Sequence, residues 1–238
     1  MDFQRFNYQS VATSEEKAAV AFPALMRKVY VWMSMALVIT GLTAWIVAHN
    51  YTLLNLIYGN SAVIWILFIA ELGLVFTISG AIHKLSLPVA TLLFVLYSVL
   101  NGAVFSSIFL VYTMSSIATV FFITAGTFAA MSVFGYVTKK DLTSMGKFLM
   151  MALIGLIIAT VVNLFMKSSG MSMIISYVGV LIFVGLTAWD TQKIKNMCLQ
   201  APDTGETMQK LALLGALSLY LDFINLFIYL LRIFGNRE

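Results

Sequence analysis

From Leu85 to Thr138 the chain carries no Asp, Glu, Lys or Arg. Soluble domains are about 25% charged, so a stretch this long without a formal charge leaves no face suited to water. A helix rises about 1.5 Å per residue and needs ~20 apolar residues to cross a bilayer. The stretch is therefore too long for one crossing and suits two. The polar dip Tyr112-Thr-Met-Ser-Ser116 divides it into Pro88–Val111 and Ile117–Val137. Pro88 suits a first helical turn, where its missing N–H is not needed.

The same pattern recurs along the chain. Charge-poor segments at Val29–Ala48, Ser61–Ile82, Phe148–Met166, from Met171 onward, and Leu211–Leu231 predict five further spans. The runs are continuously apolar rather than alternating, which excludes a transmembrane barrel. Over 238 residues, 61% are hydrophobic and 10% charged, with a mean hydropathy of +0.96. The expected fold is an all-α polytopic membrane protein with seven transmembrane helices. Residues 1–26 are read as an N-terminal tail and 27–238 as one transmembrane domain. The polar tail lacks the short apolar core of a cleavable signal. The single cysteine, Cys198, excludes an intrachain disulfide.

Charge orients the chain. With seven crossings, eleven of the fourteen Lys and Arg fall on the side of the N-terminus, and only Lys167, Arg232 and Arg237 fall opposite. The positive-inside rule puts the N-terminus in the cytoplasm. A re-entrant last segment would move Arg232 and Arg237 to the cytoplasmic set, and charge does not exclude it. The basic balance (+4) is thus topological, and no nucleic-acid partner is expected. The fragment Ala201-Pro-Asp-Thr-Gly-Glu206 reads as a turn between the last two helices. Small residues four apart, Gly126/Ala130 and Gly155/Ala159, are candidates for close helix approach, although such pairs abound in any bundle.

Three acids interrupt the spans. An ionised side chain at mid-bilayer costs ~2.5–3.5 kcal/mol on insertion scales, so Glu71, Asp190 and Asp222 must pair, hold a proton or face the interior. Asp190 and Asp222 lie equally far from Glu206 on consecutive helices. In an antiparallel hairpin turning there, both would reach one depth. Two adjacent carboxylates in a low dielectric do not both ionise cheaply, so the pair would share a proton. Carboxylate oxygens are also the ligands that Ca²⁺ takes, making the pair a transient cation site. Glu71 and Asn225, one turn beyond Asp222, are candidates for the same pathway. Two plainer readings stay open: Lys193 or Lys195 pairs with Asp190 at the interface, or Asp222 serves an interhelical hydrogen bond.

Enzyme readings find little support. Intramembrane aspartyl proteases set their second aspartate in Gly-x-Gly-Asp, whereas this chain has Leu219-Tyr-Leu-Asp222. A retinal protein needs a lysine in mid-span, and Lys210 precedes the last one. His49 and His83 have no companions at metal-ligand spacing.

The segments Ser218-Leu-Tyr-Leu-Asp-Phe-Ile-Asn-Leu-Phe227, Leu230-Leu-Arg-Ile-Phe-Gly235, Gly185-Leu-Thr-Ala-Trp-Asp-Thr-Gln-Lys-Ile-Lys195 and Tyr136-Val-Thr-Lys-Lys-Asp-Leu-Thr143 resemble signatures of the Bax inhibitor-1/lifeguard family, most closely its bacterial inner-membrane branch. The resemblance covers the chain from about Arg27 onward. It implies a last helix in the middle of a six-helix ring, and a pH-sensitive calcium leak controlled by two aspartates. By motif these fall on Asp190 and Asp222, and Glu71 matches an acidic position of the second helix. Trp189 departs from the tyrosine common before the first aspartate, and only His83-Lys84 answers a basic residue that some members carry near the end of the second helix. The expected activity is proton-gated Ca²⁺ leak in the inner membrane, with lipid, Ca²⁺ and protons as partners and no resident cofactor. The alternative is a non-conducting regulator of membrane proteases or cell-death factors.

Overall fold

The computed structural model describes the backbone of residues 3–200 and 205–237, with side chains from 23 to 198 and from 205 to 237. Among these residues the chain forms nine helices: α1 (Phe3–Ala48), α2 (Tyr51–Tyr58), α3 (Ser61–Ala81), α4 (Leu87–Phe105), α5 (Ile108–Val111), α6 (Met114–Val137), α7 (Thr143–Met166), α8 (Ser169–Gln200) and α9 (Gly205–Phe234). Seven segments are long and apolar enough to cross a membrane, with α4 and α5 together making the third. The fold is the expected all-α polytopic membrane fold.

Local chemistry sets the helix boundaries. Asn50, Asn60 and Thr113 each accept a backbone N–H from the first turn of the helix they precede. Pro88 occupies the first turn of α4. Two features were not foreseen. One is α2, a short helix between the first two spans. The other is the break between α4 and α5, where the Tyr58 hydroxyl of α2 donates to the Val104 carbonyl (2.7 Å) and accepts the Ser107 N–H (3.2 Å). A broken helix in a membrane frees backbone groups that must be satisfied inside the protein, and Tyr58 does so from another helix.

Burial arranges the layers. In α1, Leu25, Val29, Met33, Ala36, Thr40 and Ala44 recur at helical spacing on the inward face. Two-thirds of the α9 span is buried, against 6% of α3 and 6% of α7. Its buried residues include Leu217, Leu219, Tyr220, Asp222, Phe223 and Leu226, which together point all round the helix. Helices α1, α4, α6 and α8 pack on α9, while α3 leans mainly on α4 and α7 on α8. The central helix is thus enclosed chiefly by four neighbours.

The last helix is long and apolar enough to cross a membrane completely. Past its end, Arg237 pairs in antiparallel fashion with Tyr112, the Thr113 N–H donates to the Asn236 carbonyl (3.2 Å), and Asn236 N–H donates to Ser116 Oγ (2.9 Å). The C-terminal segment is therefore tied to the junction of the third and fourth spans, on the face opposite the Lys139–Lys140 loop. This arrangement sets the two ends of α9 at opposite ends of the bundle, as a crossing helix requires.

Close helix approach occurs at glycines other than those singled out by spacing. Gly126 and Gly155 have open space where a Cβ would stand. A Cβ on Gly135 would instead strike the Ala188 backbone, and one on Gly146 the Trp189 indole. These two contacts bring α6 and α7 onto α8 beside Asp190.

Candidate functional site

The hairpin of α8 and α9 carries the two aspartates. Gly179 faces the Tyr229 ring and Gly215 faces Ile194, which sets the register. Asp190 then lies roughly level with Ser218, about one turn or ~6 Å short of Asp222. The equal-depth expectation shifts because Glu206 already belongs to the first turn of α9. The rest of the proposed turn, 201–204, lies outside the described residues. Side chains lean toward the N-terminus of their own helix. In an antiparallel pair both carboxyls therefore lean into the gap between their Cα positions.

Both groups are buried, Asp222 at 4% exposure and Asp190 at 9%. Each lies within the electrostatic reach of the other, and the charge of Lys193 reaches both. No hydrogen bond joins them among the described residues, and Asp222 Oδ2 is buried without a donor. The site is thus an electrostatically linked pair with spare acceptor capacity in mid-bundle.

Neither lysine closes an ion pair with Asp190. Lys193 Nζ stands 5.0 Å from the centre of the Trp189 ring, and Lys195 donates to the Tyr136 carbonyl (3.4 Å). Trp189 rests on Gly146 of α7. Next to it, Gln192 clamps the loop between α6 and α7: its Nε2 donates to the Lys140 carbonyl (2.9 Å) and its Oε1 accepts the Leu142 N–H (2.8 Å). Sequence reasoning missed Gln192, Gly135 and Gly146. Their roles depend on which helices meet.

Glu71 stands elsewhere. Its charge reaches Tyr97 of α4 and Tyr220 of α9, and its Oε1 is buried with no partner. Tyr220 is two residues before Asp222 and so points to nearly the opposite side of α9. There Thr40 Oγ1 donates to the Ser98 carbonyl (2.9 Å), so the Tyr220 hydroxyl donates to Thr40 Oγ1 (2.7 Å). Phe94 and Tyr97 pack edge-on against the Tyr220 ring. The structure thus brings Asp190 and Asp222 together and places Glu71 in a separate tyrosine-lined cluster. Asn225 donates to the Leu221 carbonyl of its own helix (2.8 Å).

Toward the C-terminal face the central helix is sealed by rings. Phe121 packs on Phe223 and Phe227 at 5.4 and 6.2 Å between centroids, and Phe128 packs on Phe223 at 5.5 Å. Phe121, Phe223 and Phe227 border an apolar cavity of about 110 Å³ that reaches Thr40, and a second cavity of about 250 Å³ lies past Phe105 and Ile108 toward Tyr112. Among the described residues no group of three or more His, Cys, Asp or Glu side chains gathers to hold a metal. Two carboxylates by themselves fall short of the six to eight oxygens that resident Ca²⁺ takes.

Comparison with known proteins places the chain. The family profile described as inhibitor of apoptosis-promoting Bax1 matches residues 23–238. The inner membrane protein YbhL of Escherichia coli K12 is 51% identical over 215 residues, covering 90% of this chain and 92% of its own. An uncharacterised protein of Borreliella burgdorferi is 46% identical over 95% of this chain and 97% of its own. The uncharacterised protein RP147 of Rickettsia prowazekii is 46% identical over 90% and 89%. With the profile spanning nearly the whole bundle, aspartate pair included, this seven-span protein belongs to the Bax inhibitor family.

Proposed function

We propose that the protein is a pH-sensitive leak for Ca²⁺, in which proton sharing between Asp190 and Asp222 decides whether the bundle conducts. One observation carries this reading: two buried carboxyls on adjacent helices feel each other's charge, and one of them, in the middle of the central helix, has an oxygen without a donor. While the pair holds a proton, a shared hydrogen bond ties α9 to α8 and the phenylalanine constriction stays closed. When the pair loses it at higher pH, like-charge repulsion drives α9 away from α8. The rings part, and the two carboxylates become an anionic station for a divalent ion. Among the described residues, Lys193 is the cation whose charge reaches the pair. Glu71 lies on the far side of α9, beside Tyr220, and is not a third ligand of the pair.

The relative in the E. coli inner membrane supports the same location for this chain. The excess of Lys and Arg on the N-terminal side supports a cytoplasmic N-terminus and tail. Calcium uptake by proteoliposomes holding only this protein tests the reading across a pH series. Flux should rise with pH in the native chain and lose its pH dependence in Asp222→Asn, because an amide does not titrate. An unchanged profile in that variant sinks the gating mechanism. Absence of flux from the purified native chain at every pH favours the non-conducting regulator instead.

A further inference from the structure

The face opposite the lysine-rich loops carries only three basic residues, Lys167, Arg232 and Arg237. They come from two separate parts of the chain, the α7–α8 hairpin and the end of α9 with the segment after it, yet all three line one cavity of about 670 Å³. We propose that this cavity binds a phosphate-bearing anion at the membrane–water boundary.

The fold holds each cation in place without neutralising it. Lys167 ends α7 in the left-handed conformation (φ 49°), a position ordinarily given to glycine. The chain thus puts a long cationic side chain at the apex of the α7–α8 hairpin, where the smallest residue would fit with less strain. Arg232 lies over the Tyr229 ring at 5.6 Å, and Arg237 over the Tyr112 ring at 5.9 Å. The pairing of Tyr112 with Arg237 fixes the second of these. A ring orients a guanidinium but takes few of its five N–H groups. Among the described residues no carboxylate pairs with any of the three, the only ion pair being Lys210 with Glu206 on the other face.

The rest of the lining suits the same ligand. Ser172 accepts a hydrogen bond from Asn163 Nδ2 (2.7 Å), which leaves the serine hydroxyl hydrogen free to donate. The first turn of α8 also borders the cavity at Ser169, and a helix start favours negative charge. Arginine forks match phosphate oxygens in paired hydrogen bonds. Leu164 and Met173, exposed toward lipid, complete the wall. That amphipathic wall accommodates a lipid phosphate with its acyl chains as readily as a free one. The inference does not depend on whether the bundle conducts.

Thermal melting of the purified full chain in detergent tests it. The probes are inorganic phosphate, a short-chain phosphatidylglycerol and a short-chain phosphatidylcholine, with sodium chloride at matched ionic strength as the control for screening. A saturable rise in melting temperature with a phosphate-bearing anion is expected, with at least tenfold more probe needed by the Arg232→Gln/Arg237→Gln variant. A response to inorganic phosphate assigns a free anion, and a response to phosphatidylglycerol alone assigns an anionic lipid headgroup. No response from the native chain to either anion, or equal responses in native and variant chains, overturns the proposal. Should the double variant not fold, Lys167→Gln is titrated in its place. Preferential retention of phosphatidylglycerol by the native chain in native mass spectrometry must then accompany any lipid response, and equal retention of phosphatidylcholine overturns the lipid assignment.

Discussion

Tyr220 and Asp222 stand two residues apart on α9 and serve opposite sides of it. Tyr220 donates its hydroxyl to Thr40 Oγ1 of α1 at 2.7 Å, amid Phe94 and Tyr97 and within reach of Glu71. Asp222 turns instead to the side where Asp190 and Lys193 act on it. The central helix therefore separates a satisfied hydroxyl network from a carboxyl that lacks a donor. The two sides are open to independent tests.

Tyr220→Phe removes the hydrogen that Thr40 accepts while keeping the ring. A net hydrogen bond contributes about 1 kcal/mol, so the melting temperature should fall by roughly 2–4 °C for a chain of this length. Under the proposed gating, the pH midpoint of calcium flux stays where it was. A midpoint that moves as far as in Asp190→Asn would show that the two sides of α9 are coupled.

Gly135→Ala forces a methyl against the Ala188 backbone, so α6 and α8 must separate two residues from Asp190. Overpacking of this kind costs about 1–3 kcal/mol. Gly126→Ala meets open space and should be neutral or stabilising by up to about 1 kcal/mol, because alanine is the better helix former. Comparing the two melting temperatures checks which glycine is a packing contact, and equal shifts would contradict the register of α6 on α8.

Gln192→Ala removes both hydrogen bonds that clamp the α6–α7 loop, leaving the Leu142 N–H and the Lys140 carbonyl without these partners. The loss should destabilise by about 1–3 kcal/mol and speed amide exchange at Leu142. Gln192→Glu keeps an acceptor for Leu142 N–H but no donor for Lys140, so it should restore protection at Leu142 alone.

Cys198 is buried at 5% exposure and gives a low background for topology mapping with an impermeant maleimide. Cysteines placed at Ser115 and Asn236 should label from one side of the membrane, since backbone pairing joins their segments. A cysteine at Asp141, exposed in the α6–α7 loop, should label from the other. Labelling of positions 141 and 236 from one side would mean that α9 does not cross.

The seven spans were legible in the sequence because a crossing is set by local properties: a run of apolar side chains and a fixed rise per residue. Pro88 and the dip at Tyr112 marked their boundaries for the same reason, since both act on the backbone within one turn. The three intramembrane acids were equally visible, because charge in an apolar run needs no fold to stand out. Which helix lies at the centre could not be read from hydropathy. The spans of α9 and α3 have mean hydropathies of 2.0 and 2.3, yet 67% of one and 6% of the other is buried. Lipid is as apolar as a protein interior, so composition does not distinguish them, and only the family resemblance pointed to α9. Packing likewise decided the register that offsets Asp190 from Asp222 by a turn, the separation of Glu71 from both, and the gathering of Lys167, Arg232 and Arg237. Each depends on helix rotation and on contacts between residues far apart in the chain, such as Gly179 with Tyr229 and Tyr112 with Arg237. Side-chain periodicity along one helix says which residues share a face, and the tertiary structure alone says what that face meets.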